Sequence, residues 1–330
     1  MAEGKSEAEK VRGGTAIETS GLTKRYGGRS VVESLNMEVP AGVVAGFIGP
    51  NGAGKTTTLR MLLGLVRPSA GSGRVLGMLL TAPAQYVAGV GALIESPGFH
   101  PGLSGERNLA VVASLAGIAD RSPLPALLER VGLGDRGRDL YRTYSLGMKQ
   151  RLGIAAALIG DPALLILDEP ANGLDPSGIR EMRTLLRSFS DEGRTVLVSS
   201  HQLAEVQQVC DWLVVIDHGR RIFQGPTSQL VGSNQALVLR SEHPADLPRL
   251  EALLGRRGLH PMRSGDQLRI HLSELTSSGR ALAEDMDGLR YALAEINRAA
   301  AAADITLIEL TVVRAELEDR YEALVAGGAR

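Results

Sequence analysis

Val43-Val-Ala-Gly-Phe-Ile48-Gly49-Pro50-Asn51-Gly52-Ala53-Gly54-Lys55-Thr56-Thr57 decides the fold. Six residues without a charge, Val43–Ile48, read as a fully buried strand. Gly49 to Thr56 fits G-x-x-x-x-G-K-[ST] without a mismatch. Leu59, Leu62, Leu63 and Val66 then recur at helical spacing. A glycine-rich turn between strand and helix lets successive backbone amides point inward at phosphate. The N-terminus of the following helix adds its own amides to that charge. Lys55 reaches the β- and γ-phosphates of a nucleotide, and the Thr56 hydroxyl is a ligand for Mg²⁺.

Downstream, Leu164-Leu-Ile-Leu-Asp168-Glu169-Pro170 ends a second apolar strand in two acids. Open α/β sheets bind ligands at the carboxyl ends of their strands. Asp168 therefore reads as the hard oxygen partner of a phosphate-bound Mg²⁺. Glu169 reads as the general base that polarises an attacking water. Two further buried strands follow at Thr195–Ser199 and Leu213–Ile216, separated by helical stretches at Ile179–Phe189 and Ala204–Cys210. Apolar strands alternating with helices predict an α/β fold with a mostly parallel sheet covered by helices.

The rest of the chain is organised around this unit. Its 330 residues suggest two domains. Residues 1–15 read as a flexible polar tail, 16–230 as the nucleotide domain, and 231–330 as a small accessory α+β domain. Within the first domain, residues 100–160 form a mainly helical subdomain. Gly225–Ser233, rich in glycine and small polar residues, marks the boundary. The second domain reads as strands at Ala236–Arg240, Leu268–Leu272 and Ile305–Leu310. Helices are expected near Leu247–Leu254 and Ala281–Ala299, with a last one from Val313 to Val325.

With 36 basic and 37 acidic residues the net charge is -1, which gives no bulk electrostatic reason to bind nucleic acid. One cysteine, Cys210, excludes an intramolecular disulfide framework and a cysteine-clustered metal site. The least charged long stretch, Gly77–Ile94, is short for a membrane span and is broken by Pro83 and several glycines. Met1–Lys10 has no apolar run behind it, so no signal peptide is read. The expected location is the cytoplasmic side of the cell membrane, held there peripherally by a partner.

Taken in order, these motifs resemble the ATPase subunit of ABC transporters over about residues 16–230. The resemblance implies ATP and Mg²⁺ as ligands. It implies that Tyr26, in Leu22-Thr-Lys-Arg-Tyr26-Gly, stacks on adenine. Tyr144-Ser145-Leu146-Gly147-Met148-Lys149-Gln150 resembles the family's signature stretch, with Ser145 placed 23 residues before Asp168. Leu146 stands where the first glycine of a pair is usual, and Met148 where glutamine is usual. By resemblance, Ser145 and Gly147 hold the γ-phosphate of a nucleotide bound to a second subunit. A serine, glycine amides and the start of a helix after Met148 suit an anion, the alternative being a helix cap with a basic exposed face.

Ala171-Asn-Gly-Leu-Asp175-Pro176 resembles the loop through which two such subunits touch. His201 matches the family's switch histidine, a sensor of the γ-phosphate. Val90-Gly-Ala-Leu-Ile-Glu95 departs from the family, which has glutamine at the last position. Glu95 retains an oxygen for Mg²⁺ or water but adds a charge, or else it is a solvated loop acid. The resemblance implies a head-to-tail dimer with two ATPs at its interface, and a separate multi-span membrane permease. Export of an antibiotic, drug or lipid-like compound is the expected function. The alternative is an ATP switch of the same broad family acting on ribosomes or DNA. Only 89 residues separate Lys55 from Ser145, which leaves no room for the coiled coil of DNA-repair relatives.

Overall fold

The computed structural model describes residues 14–95, 98–202, 206–231, 235–275 and 286–314. Strands β1 (Thr15–Tyr26) and β2 (Arg29–Pro40) form an antiparallel hairpin in which Tyr26 faces Arg29. The two linking residues, Gly27 and Gly28, both have positive φ, which gives the chain the twist a tight hairpin needs. Thr15 is already paired with Pro40, so the strand starts at the end of the expected tail. Residues 1–13 lie outside the described residues.

β3 (Val44–Ile48) is buried at every position, as its unbroken apolar run requires. It leads through the glycine-rich turn into α1 (Lys55–Leu62). Leu59, Met61 and Leu62 are buried. The helix stops at Leu62, so Leu63 caps it and Val66 lies beyond it, short of the expected four-residue face. β4 (Ala70–Val75) and β5 (Met78–Leu79) join the hairpin in a sheet ordered β2-β1-β4-β5.

β6 (Val90–Leu93) returns to the main sheet. Three helices follow, α2 (Gly105–Leu115), α3 (Leu124–Arg130) and α4 (Leu146–Ala157). They bury Leu109, Ala113, Leu128 and Leu152. Serines begin two of them: Ser104 Oγ accepts from Arg107 N and Ser145 Oγ accepts from Met148 N. The last helix therefore starts at Leu146, not after Met148. A serine cap followed by leucine, a better helix former than glycine, starts the turn earlier.

β7 (Leu164–Asp168) precedes α5 (Pro176–Asp191). Asp175 caps that helix and Pro176 occupies its first turn, so it begins three residues before the expected Ile179. Met182, Leu186 and Phe189 form its buried stripe. β8 (Thr195–Ser200), β9 (Trp212–Asp217) and β10 (Arg220–Pro226) complete the main sheet. Among the described residues its order is β10-β9-β3-β8-β7-β6. β9, β3, β8, β7 and β6 run parallel and β10 antiparallel. Of the helix expected at Ala204–Cys210, residues 204–205 lie outside the described residues, and only Val206 and Gln207 are helical in the remainder.

The chain divides after Pro226. The second unit holds α6 (Thr227–Val231), β11 (Gln235–Ser241), α7 (Leu247–Gly255), β12 (Met262–Ser264), β13 (Gln267–His271), α8 (Met286–Ala302) and β14 (Leu307–Arg314). Its antiparallel sheet is ordered β12-β13-β11-β14. Leu237, Leu239, Leu268 and Ile270 on one face pack with Leu247, Leu250, Leu254, Ile296 and Ala300. β14 continues to Arg314 with Val313 opposite Ala236, so the expected helix does not begin at Val313. Its β-branched run Thr311-Val312-Val313 suits the sheet. The remainder of that expected helix, and residues 281–285 of the one before, lie outside the described residues.

Candidate nucleotide site

The site sits where β3 and β7 end. Gly49 follows β3 at a point where a Cβ would meet Ile216 O at 2.4 Å, so only glycine fits. Gly54 has φ 100 and leads directly into Lys55 at the start of α1. Pro50, Asn51 and Gly52 are exposed at the rim, whereas Ala53 and Lys55 are buried. Thr57 is partly buried beside Thr56.

Lys55 is held from several directions. Its ammonium donates to Gly49 O at 2.7 Å and to Pro50 O at 3.3 Å. It also lies 3.4 Å from Glu169 Oε1. One residue on, Thr56 Oγ1 donates to Asp168 Oδ2 at 2.7 Å. This bond ties α1 to the end of β7, two elements 112 residues apart in the chain. Asp168 is buried, and its other oxygen accepts a hydrogen bond from Ser199 on β8. The same Ser199 Oγ accepts from Glu169 N at 2.9 Å.

Glu169 has φ 47, a left-handed conformation that an L residue adopts only when its surroundings fix it. Here the Ser199 bond and the carboxylate contacts do so. His201 Nδ1 shares a hydrogen bond with Glu169 Oε2 at 2.8 Å. Glu169 is thus placed between Lys55 and His201, one carboxylate oxygen to each. The arrangement supplies cation, hydroxyl and backbone donors for phosphate, with two carboxylates beside them.

Ser199 belongs to none of the sequence motifs, yet it joins the site. Its signal is a hydroxyl at the end of an otherwise apolar strand, Thr195-Val-Leu-Val-Ser199, where it is fully buried. A buried hydroxyl needs partners, and the neighbouring strand ends in two acids. Its register opposite Asp168 supplies them.

The other expected residues lie in separate surroundings. Tyr26 is half exposed, with the Lys24 ammonium 4.9 Å from its ring centroid. Ser145 makes a local cap bond, and Gly147 lies within the first turn of α4. Asp175 accepts from Gly178 N at 2.8 Å and so serves its own helix. Glu95, expected as an oxygen donor beside Asp168, is exposed and paired with Arg60. Arg60 lies one helical turn beyond Thr56 on α1, where its guanidinium meets the carboxylate as the loop leaves β6.

The donors at Thr56 and Asp168 suit a small hard cation. Both offer oxygen, and they are already within hydrogen-bond distance of each other. Among the described residues no cluster of three or more His, Cys, Asp or Glu side chains forms a closed metal cage. A cation here would therefore depend on oxygens from phosphate and water. Among the described residues, too, no helix is long and apolar enough to cross a membrane.

Known proteins resemble this chain in sequence and fold. Residues 32–172 match the ABC transporter family. The chain is 37% identical over 315 residues to the bacitracin transport ATP-binding protein BcrA of Enterococcus faecalis, covering 94% of this chain and 97% of that protein. It is 40% identical to the daunorubicin/doxorubicin resistance ATP-binding protein DrrA of Streptomyces peucetius, over 82% of this chain and 84% of the relative. It is 43% identical to the lantibiotic transport ATP-binding protein SrtF of Streptococcus pyogenes, over 63% of this chain and 90% of the relative. A solved ATP-binding subunit of an ABC transporter superposes with a TM-score of 0.59 at 31% identity, covering 66% of this chain and 92% of that one. With the phosphate loop, the paired acids and near full-length similarity in agreement, the chain belongs to the ATP-binding subunits of ABC transporters.

Proposed function

We propose that this chain binds and hydrolyses Mg-ATP to power a separate multi-span permease that exports an antibiotic or drug. The observation that carries the reading is the joining of Lys55, Thr56, Asp168, Glu169 and His201 around one phosphate loop. Relatives named for bacitracin, daunorubicin/doxorubicin and lantibiotics support the substrate class. The balanced charge gives no support to a nucleic-acid partner.

Each residue has a task in this reading. Gly49 to Gly54 wrap the phosphates with backbone amides, and Lys55 neutralises the β- and γ-phosphate charge. Thr56 and Asp168 would hold Mg²⁺, which supplies charge neutralisation across the phosphate oxygens. Thr57 offers a further hydroxyl at the loop's edge. Glu169 accepts the proton of the attacking water, or orients that water. His201 holds the Glu169 carboxylate and senses the γ-phosphate beside it. Ser199 fixes both acids on the end of β7. Tyr26 stacks on adenine, and Lys24 is positioned beside its ring.

Phosphate loop and signature stretch serve different subunits in the proposed head-to-tail dimer. Ser145 and Gly147 would complete the site of a second copy. Closure excludes bulk water and aligns the donors around the γ-phosphate. Glu95, paired with Arg60, would act on coupling through the loop after β6 instead of as a cation ligand. The permease would hold the subunit at the cytoplasmic face of the membrane.

The experiment is to capture the full chain from detergent-solubilised membranes and identify what accompanies it. A multi-span membrane protein, whose presence makes hydrolysis respond to an exported compound, supports the reading. Recovery with ribosomes and no membrane protein would reject it.

A further inference from the structure

We propose that Leu146 is a positioning residue that locks the signature stretch to the Gly173–Asp175 loop of the same subunit. The two segments then form one surface when ATP closes the dimer. This rests on the dimer reading above.

Leu146 is the first residue of α4, immediately after the Ser145 cap. Its Cδ2 occupies the space above Gly173, where a Cβ would lie 2.8 Å away. Gly173 also has φ 73, a conformation that selects glycine. The reverse contact is present one residue along each segment. A Cβ on Gly147 would lie 3.5 Å from Leu174 Cδ2, at ordinary van der Waals distance. Leucine on one segment thus faces glycine on the other, twice.

A second tie, further in, joins α4 to α5, the helix that follows this loop. Arg151 on α4 forms an ion pair with Glu181 on α5. Each lies six residues past its helix cap, Ser145 or Asp175. An apolar contact at the tips and an ion pair behind them hold the two N-termini in one relative position. A glycine at 146 would have no side chain to set against Gly173. Leu146 is still 48% exposed, so half of its surface remains for a second subunit.

The test uses the full chain. In a Glu169→Gln background, ATP-dependent dimerisation is followed by sedimentation as ATP is raised, with and without Leu146→Ala. Nucleotide affinity is measured separately at dilute, monomeric protein, and kcat and the half-saturating ATP concentration in the native background. Alanine keeps the helix start while deleting the contact. The expected result is unchanged nucleotide affinity in the monomer, a dimer weakened about fivefold, and a matching fall in kcat at limiting protein. Leu146→Met should restore both, and the melting temperature without ATP should fall by no more than a few degrees in Leu146→Ala. Dimerisation and kcat equal to the parent's in Leu146→Ala would overturn the positioning role alone. A Glu169→Gln parent that stays monomeric at every ATP concentration would overturn the dimer reading, and this inference with it.

Discussion

The two units of the chain use their glycines and leucines differently. In the first unit, chemistry depends on backbone conformations that ordinary residues resist. Gly52, Gly54 and Gly173 have positive φ, and Glu169 adopts it without being glycine. The second unit is organised around a leucine-rich core, with Leu237, Leu247, Leu250, Leu254 and Leu268 all fully buried. Both units gain stability from apolar burial, and the first also holds its reactive groups in conformations that ordinary residues resist. The contrast teaches where substitutions should affect hydrolysis and where they should affect folding alone.

The largest expected effect separates the two units most sharply. Lys55→Ala removes the buried cation of the phosphate loop and should lower hydrolysis by about a thousandfold. ATP affinity should fall as well, while the melting temperature of the second unit is unchanged. Equal ATP affinity in two folded proteins would remove Lys55 from the site.

Ser199→Ala is expected to have an intermediate effect. It takes one partner from Asp168 and one from Glu169 N without touching the ligand. Loss of a hydrogen bond to a charged group costs about 1.5–3 kcal/mol, or about ten- to a hundredfold in rate if it falls on the transition state. Hydrolysis measured at saturating Mg-ATP checks this. A native rate would show that Ser199 does not orient the acids.

Tyr26→Ala should raise the half-saturating ATP concentration a few-fold and leave kcat nearly unchanged, since stacking on adenine does not change along the reaction. A kcat loss without a change in half-saturation would contradict an adenine platform.

Leu250→Ala should have the smallest effect on chemistry. The cavity it leaves costs about 2–5 kcal/mol of stability in the second unit. ATP hydrolysis below the melting transition should match the native rate. A large loss of hydrolysis in the folded variant would break the division of labour.

Much of the nucleotide unit is readable in the sequence because its signals are local. An apolar strand at Val43–Ile48, a glycine turn and Lys55-Thr56 are contiguous, as are Leu164 to Glu169. Their meeting through Thr56 and Asp168 follows from two strands of one parallel sheet ending on the same side. What escapes the sequence is contact between distant segments. Ser199 reads as a strand end until β8 is placed beside β7. Leu146 reads as a departure from a motif until Gly173 is placed beneath it. Arg60 looks like one basic residue on a helix until Glu95 leaves β6 beside it. At the end of the chain, Val313, Leu317, Tyr321 and Leu324 recur at intervals of four, four and three residues, which suggests a helix, yet Val313 pairs in β14. At Val313 itself the β-branched run Thr311-Val312-Val313 is the stronger signal, and residues 315–325 lie outside the described residues.

The central claim is that Glu169, set between Lys55 and His201, drives the chemical step at this phosphate loop. Single-turnover hydrolysis of saturating Mg-ATP by the full chain and by Glu169→Gln tests it most directly. Glutamine keeps the shape but is far less basic, so ATP binding should be retained while the chemical rate falls by about a hundredfold or more. Retained binding with an unchanged chemical rate would contradict the account.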